Sequence, residues 1–556
     1  MRKGIAKIIV ALMAAITVFS SFAACGDDIE RDEKTIYVKA TLGGYGSSYL
    51  TALANQFEKT YEAEGYKVKV LTPSSTLQGT VAIQDMYSDD YADVYFTSGV
   101  KLRDVVNGSD YGTLVVDITD DVWNKPAIDF TGNEEQSLIK DKLQIEDNAE
   151  WSEVNGRRYS LHGNNSIGGL IVNFTKLQKY GITELPKTTD EMFAAFDAIL
   201  NGANGMKASS VTNIYPLTFL GGQNGYHNHL VFTWFAQYSG AEAYEEAWSW
   251  DDLKDVTDAD VAAAKIVSGD GINEMLKAVY KTYDSAYVAK GSSSNTISMA
   301  HSKIMNDKEG AVFMTDGDWA YNEIFTDYAA TISDLRFINV PVISALGVKL
   351  FGEEKGEEYL RYIIDKTDEG KSCEEIVSAL KTDKNADVAS GKVLEVMKAR
   401  GVYCSRSKGA GNVFISNKTA NADICYKFLR MYAGEDAAGL ILKESNAYTA
   451  YTTSYDSART EYHKGYAAIL NQTYSYGVWK NAIGFKGELG KFELLPLSGD
   501  LMVDSVIKQN VTKFEKGKLK PGATDKIYAD AAAARIADDL NYVKTNWSKW
   551  LGSIGK

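Results

Sequence analysis

Between Thr35 and Gly99, three short apolar runs alternate with two amphipathic stretches, and this alternation constrains the fold of the 556-residue chain. Thr35 to Ala40, with Ile36 and Val38, reads as a strand. A loop from Thr41 to Gly46 follows, and Ser47 or Ser48 is placed to cap the next helix. Leu50, Leu53, Ala54, Phe57 and Tyr61 recur at helical spacing on one face of that helix, and Gly65 ends it. Tyr66 to Leu71 is a second strand, Leu77 to Met86 a second helix, and Ala92 to Phe96 a third strand that ends in Thr97, Ser98 and Gly99. Strand, helix, strand, helix, strand is the order of a parallel doubly wound half.

A chain this long exceeds what one hydrophobic core organises, so two or more lobes are expected. The net charge of -15 argues against a nucleic-acid partner, because phosphate binding needs a basic surface. Tyrosine and tryptophan are abundant, 34 and 9 against 20 phenylalanines, which favours sugar- or surface-binding clefts. The N-terminus opens with Arg2, Lys3 and Lys7, continues with an apolar stretch from Ile8 to Phe22, and closes on Ala23, Ala24 and Cys25. This reads as an export signal, too short for a transmembrane helix. Gly26 to Lys34 is polar and reads as a flexible tether. Cys373, Cys404 and Cys425 lack metal-ligand spacing and are expected as plain buried thiols, with a Cys404–Cys425 pair as the alternative.

A second informative stretch runs from Glu309 to Glu323. Ala311 to Met314 suits a buried strand in a parallel sheet. Thr315 to Asp318 reads as a polar turn, which puts Trp319 at the strand end, where open α/β sheets place ligands. An indole beside Asp316 and Asp318 suits a site that stacks on a flat face and bonds its edge; the alternative is a core-capping Trp beside solvated turn carboxylates. Tyr226, His227, Asn228 and His229 precede an amphipathic helix. No third ligand is near the two histidines, so His227 is expected at the mouth of a polar cleft and not on a metal. Thr188 to Glu191 has the pattern of a capping box. Lys349 to Arg400 is charged and helix-rich, like an element added to a surface. Neither a Ser/His/Asp order nor a metal motif is present, and no cofactor is expected.

The order of these landmarks resembles the extracellular solute-binding proteins of family 1, the receptors of ATP-driven sugar importers similar to maltose-binding protein. They are the small residues before Cys25, the first strand and helix, Ala92 to Gly99, Leu170 to Asn173 with Lys176 to Gly181 and Pro186, Gly310 to Trp319, and Val413 to Ser416 with Asp423 to Leu429. The resemblance covers Thr35 to about Tyr451. It implies an α/β, two-lobed periplasmic-binding-protein-like fold with a hinge and an interlobe ligand cleft. Residues 1–24 would be a lipoprotein signal peptide with lipid on Cys25, and 25–34 a tether. Residues 35–165 and 340–415 would form the first lobe, with a helical insertion at about 349–400, and 166–339 and 416–556 the second. Position by position, Trp319 matches the family's stacking Trp, Tyr226 an aromatic before a helix, and Asn164 a polar cleft position. Gly43, Gly44 and Tyr45 match a ligand-facing loop, and Trp479 a late cleft aromatic. The implied function is a lipid-anchored, monomeric receptor that delivers an oligosaccharide to permease subunits at the outer face of a bacterial membrane. The competing readings are a receptor for another polar solute, such as a peptide, and a secreted glycoside hydrolase, which needs two carboxylates about 5–9.5 Å apart.

Overall fold

The computed structural model describes residues 31–41, 44–72, 77–107, 112–143, 152–202, 213–222, 228–247, 253–267, 269–328, 334–405, 411–451, 460–476, 479–481 and 525–553. The strands of its two main sheets are, in chain order, β1 (Thr35–Ala40), β2 (Lys67–Leu71), β3 (Val94–Thr97), β4 (Leu161–His162), β5 (Gly168–Asn173), β6 (Asn213–Phe219), β7 (Glu309–Gly317), β8 (Leu335–Ile338) and β9 (Asn412–Ile415). The helices that decide the packing are α1 (Ser48–Thr60), α2 (Thr189–Asn201), α3 (Asn228–Ser239), α4 (Ala259–Val267), α5 (Asp270–Thr282), α6 (Ile297–Met305) and α7 (Ala320–Tyr328). After them come α8 (Ala345–Phe351), α9 (Gly356–Asp368), α10 (Cys373–Lys384), α11 (Ser390–Gly401), α12 (Ala422–Tyr432), α13 (Glu435–Ser445), α14 (Glu461–Tyr476) and α15 (Asp525–Ser553).

The first lobe is built on a sheet of order β2-β1-β3-β9-β4. β1, β2 and β3 are parallel, as the alternation predicts, while β9 runs antiparallel to both β3 and β4. All six residues of β1 are buried, because elements cover both faces of the sheet. The second lobe is built on a sheet of order β6-β7-β5-β8. β7 is parallel to β6 and antiparallel to β5. The strand is longer than its apolar run. Thr315 to Gly317, expected in a turn, remain in register with Leu170 to Gly168 on β5, and Thr315 also pairs with Phe219 on β6. Pairing with β5 holds Asp316 and Gly317 extended and overrides their turn preference.

Lobe membership differs from the expected borders in two places. Helices α8–α11, expected on the first lobe, contribute Leu346, Leu360, Ile363, Ile364, Val393 and Val396 to the core of the second. The Trp234 indole of α3 donates to Pro341 O at 3.0 Å at the root of this segment. Helices α12 and α13, expected on the second lobe, lie against α1 of the first, with Phe57 and Phe428 edge to face at 5.5 Å. Whichever sheet has an uncovered apolar face claims an amphipathic helix, and local periodicity does not reveal which. The end of the expected tether is also docked. Arg31 stacks 3.5 Å over the Tyr91 ring and pairs with Asp93, and Asn421 donates to Asp32 O and Thr35 O. Cys25 lies outside the described residues. Among them, no helix is long and apolar enough to cross a membrane.

Smaller expectations resolve in detail. The Thr188 hydroxyl caps α2 by accepting from Glu191 N, but the Glu191 carboxylate accepts from Lys187 N at 2.7 Å, so the box is displaced by one residue. A complete capping box stands at Ser372 and Glu375 on α10. Cys425 is a buried free thiol.

Helix α15 closes the second lobe against α4 and α5, burying Tyr528, Ala532, Val543 and Trp547. The Trp547 indole donates to Val256 O at 2.8 Å. Trp547→Ala is expected to lower unfolding free energy by about 3–5 kcal/mol, read from denaturant melts; an unchanged melt means that α15 is dispensable to the lobe.

Candidate functional site

The carboxyl ends of β1 and β3, with the start of β9, open onto a pocket of about 130 Å³. This is where an open α/β sheet leaves its backbone ends free to meet a ligand. Ala40 and Thr41 come from β1 and its exit, Phe96, Thr97 and Ser98 from β3 and its exit, and Asn412 and Val413 from β9. Tyr49, in the first turn of α1, and Tyr45 and Gly46, in the preceding loop, close one side. Gly163, Asn164 and Ser166 close another, and Gly411 completes the lining. Gly411 is dictated by space, since a Cβ there would come 2.1 Å from Thr97 O.

Asn164 sits where the chain leaves the first lobe. Its backbone forms an antiparallel bridge with Thr449, flanked by Asn165 N to Tyr448 O at 2.6 Å and Ala450 N to Gly163 O at 3.0 Å. Two crossings between the lobes are therefore stitched to each other. The Asn164 side chain bonds the Tyr49 hydroxyl, and burial pushes that phenol up. Asn164 Oδ1 is buried without a partner among the described residues.

The end of β7 meets the first lobe beside this pocket. Trp319 is half-buried, and its indole lies over Gly317, where an added Cβ would fall 2.2 Å from ring carbons. Trp319 Cβ also packs 3.4 Å from the Cβ position of Gly44, whose φ of +59° suits glycine. Gly44 N donates to Glu323 Oε1 at 2.8 Å, and the Tyr45 hydroxyl bonds Asp318 Oδ2. Asp318 Oδ1 accepts from Ile167 N at 2.8 Å. Asp316 bonds Gly317 N at 2.7 Å and faces His301 Nε2 at 3.1 Å. Burial pushes the Asp318 carboxyl up to about 7, and the nearby Asp316 charge adds to this, while the Tyr45 and Ile167 bonds oppose it. Glu323 is raised by burial too, against the pull of the Gly44 N–H.

The expected site residues thus divide. Asn164 and Tyr45 line the pocket. Gly44 and Trp319 stand at its border. Asp316 and Asp318, expected to bond a ligand edge or else to be solvated in a turn, are each 1% exposed and bonded within the protein, because β7 carries them inside the lobe junction. Tyr226 and His227 lie outside the described residues. Trp479 begins a strand, Trp479–Asn481, paired in parallel with Tyr403–Ser405. Among the described residues, no cluster has the makings of a metal site. Sequence reasoning missed Tyr49, read only as part of a helix, and Asn412. It also missed His301, which meets Asp316 only through the packing of α6 on β7. Thr97 and Ser98 were recoverable from the strand-end rule.

Gly317→Ala would drive a methyl into the Trp319 indole. The expected outcome is a loss of about 1–3 kcal/mol with a displaced Trp319 indole N–H resonance; an unmoved resonance contradicts the packing described.

No protein-family model matches the chain, and no curated protein matches it in sequence. Solved structures do match in fold. The bacterial solute receptor AcbH, described as preferring b-D-galactopyranose exclusively, matches at 13% identity over 92% of this chain and all of that chain, with a TM-score of 0.51. A chitin oligosaccharide binding protein matches at 16% identity over 91% of this chain and all of that one, with a TM-score of 0.50. The substrate-binding protein Lmo0181 from Listeria monocytogenes, in complex with cycloalternan, matches at 12% identity over 87% of this chain and 98% of that one, with a TM-score of 0.50. The chain has the two-lobed α/β fold of the periplasmic-binding-protein-like solute receptors.

Proposed function

We propose that the protein is an extracellular receptor that captures a neutral carbohydrate between its lobes and hands it unchanged to the permease subunits of an ABC importer. The observation that carries this reading is the chemistry of the pocket lining. Thr41, Thr97, Ser98, Ser166, Asn164 and Asn412 offer hydroxyls and amides, Tyr45, Tyr49 and Phe96 offer rings, and among the described residues no carboxylate, lysine, arginine or histidine lines it. A charged ligand buried there would lack a counter-charge, which is costly, whereas sugar hydroxyls match donors and acceptors of this kind. The unpartnered Asn164 Oδ1 suits a sugar O–H donor. The receptors of like fold named above are carbohydrate binders by their own descriptions, which supports the same class. A hydrolase needs a pair of carboxylates across the scissile bond, and the described residues of the lining supply none.

In this reading Trp319, at the pocket border, covers the C–H face of a sugar ring that extends from the pocket towards the second lobe, which suits an oligosaccharide. Tyr226, His227 and Trp479 remain candidates for the same cleft on the strength of the family pattern. Lipid on Cys25 would hold the mature, monomeric receptor at the outer membrane face. Arg31 is already docked on the first lobe, so only a short run of chain would separate lipid from lobe.

Thermal-shift measurements against a panel of neutral oligosaccharides, anionic sugars and peptides are expected to give stabilisation only with neutral sugars, because a ligand that binds the native state raises apparent stability. Asn164→Ala should weaken the binding of that sugar by about 1 kcal/mol, and Trp319→Ala by at least a comparable amount. Recovery of intact sugar after long incubation would agree with a receptor. Stabilisation by peptides alone, or release of cleaved sugar, would overturn the reading. Cys25→Ala is expected to release the protein from the membrane fraction into the medium, and retention would refute the lipid anchor.

A further inference from the structure

The lobes are fastened beside the pocket by a short arm of the first lobe, Gly44 to Gly46. Gly44 and Gly46 take φ of +59° and +69°, so the tyrosine between them is flanked by two residues that turn with little steric cost. Tyr45 reaches Asp318 and Gly44 N reaches Glu323, both in the second lobe. The receiving side holds three carboxylates, Asp316, Asp318 and Glu323, two of them beside one imidazole: His301 Nε2 is 3.1 Å from Asp316 and 3.9 Å from Glu323. Among the described residues, no lysine or arginine pairs with any of the three. The other groups facing Asp318 are phenols. Tyr462 donates to Gly317 O at 2.9 Å, and the Tyr466 hydroxyl lies close to Tyr45.

We propose that the Tyr45–Asp318 and Gly44–Glu323 contacts form a proton-dependent latch, docked while Asp318 keeps its proton and released when it is lost. Burial, and not the bonding, supports a neutral carboxyl: Asp318 is 1% exposed beside Asp316, and this outweighs the Ile167 N–H on Oδ1 and the Tyr45 contact at Oδ2. The contact persists when Oδ2 carries the proton, because the Tyr45 hydroxyl has Ser166 Oγ, 3.3 Å away, to take its own hydrogen. An ionised Asp318 would instead sit buried near Asp316 with no cation of its own, a costly arrangement. Release exposes the carboxyl to water, where its proton affinity falls to the ordinary value near 3.9. The docked form, with its carboxyl pushed up to about 7, binds the extra proton. Docking is therefore favoured at acid pH and lost as pH rises to and through about 7, with the docked-to-released ratio falling about tenfold per pH unit between roughly pH 4 and 7 and levelling off above that. Tyr45 also lines the pocket, so the latch couples lobe spacing to pocket shape.

The latch depends on the two-lobed fold and not on the sugar reading, and the experiment uses no sugar. Small-angle X-ray scattering of the purified protein from pH 5 to 9 is expected to show the radius of gyration increasing as pH rises through about 7. Asp318→Asn, which has no proton to lose, should stay compact across the range, and Tyr45→Phe should be expanded already at pH 5. A wild-type radius that does not change over this range, or an Asp318→Asn curve that follows the wild type, overturns the latch. Should circular dichroism show Asp318→Asn unfolded, the wild-type curve and Tyr45→Phe decide alone.

Discussion

Backbone pairing along both edges of β7 is the constraint on which the junction depends. β5 and β6 hold it in register as far as Gly317 and Thr315 respectively. This carries Asp316 inside the second lobe and delivers Asp318 and Trp319 to its boundary. The strand continues into α7, so Glu323 comes to the same boundary one turn later. The first lobe answers with the loop after β1, where Gly44, at a φ of +59°, turns its N–H to Glu323. The two lobes thus meet through strand ends, which is also where each sheet leaves backbone free for a ligand.

The crossings add a second constraint. Residues 163–165 and 448–450 run side by side and bond each other. A hinge made of paired segments bends as a ribbon and resists independent twisting of either strand. Asn164 belongs to that ribbon and to the pocket wall, so a ligand that bonds its side chain touches the hinge directly. This is a structural route by which occupancy of the pocket would favour one lobe arrangement over another, since a ligand shifts such an equilibrium only through contacts that differ between the states.

What the sequence reveals follows from how local each signal is. β1, α1 and β2 were legible because their periodicity and their Gly65 stop reside in consecutive residues. The length of β7 was not, because Thr315 to Gly317 look like a turn and are kept extended by strands that both precede them, β5 by more than a hundred residues and β6, at Thr315, by nearly a hundred. The lobe assignments of α8–α11 and α12–α13 failed for a related reason: an amphipathic stripe announces that it will be buried, not where. In the site, Tyr45 and Asn164 were reached through the family pattern. Asp316 and Asp318 are expected from sequence to bond the edge of a ligand, whereas the structure buries them and gives them partners within the lobe junction.

Charge is sorted between neighbouring compartments. The pocket lining carries hydroxyls, amides and rings, while a few ångströms of chain away three carboxylates crowd the junction. A carboxylate in the pocket would bond sugar hydroxyls well, but it would also admit cations and tie ligand affinity to pH through its own titration. With the carboxylates one layer back and Tyr45 as the shared wall, the described pocket lining stays uncharged, and a proton dependence would act through the geometry of the lobes. The overall acidity of the chain is thus no guide to the character of its pocket, because the residues that set the net charge and the residues that line the cavity are different sets.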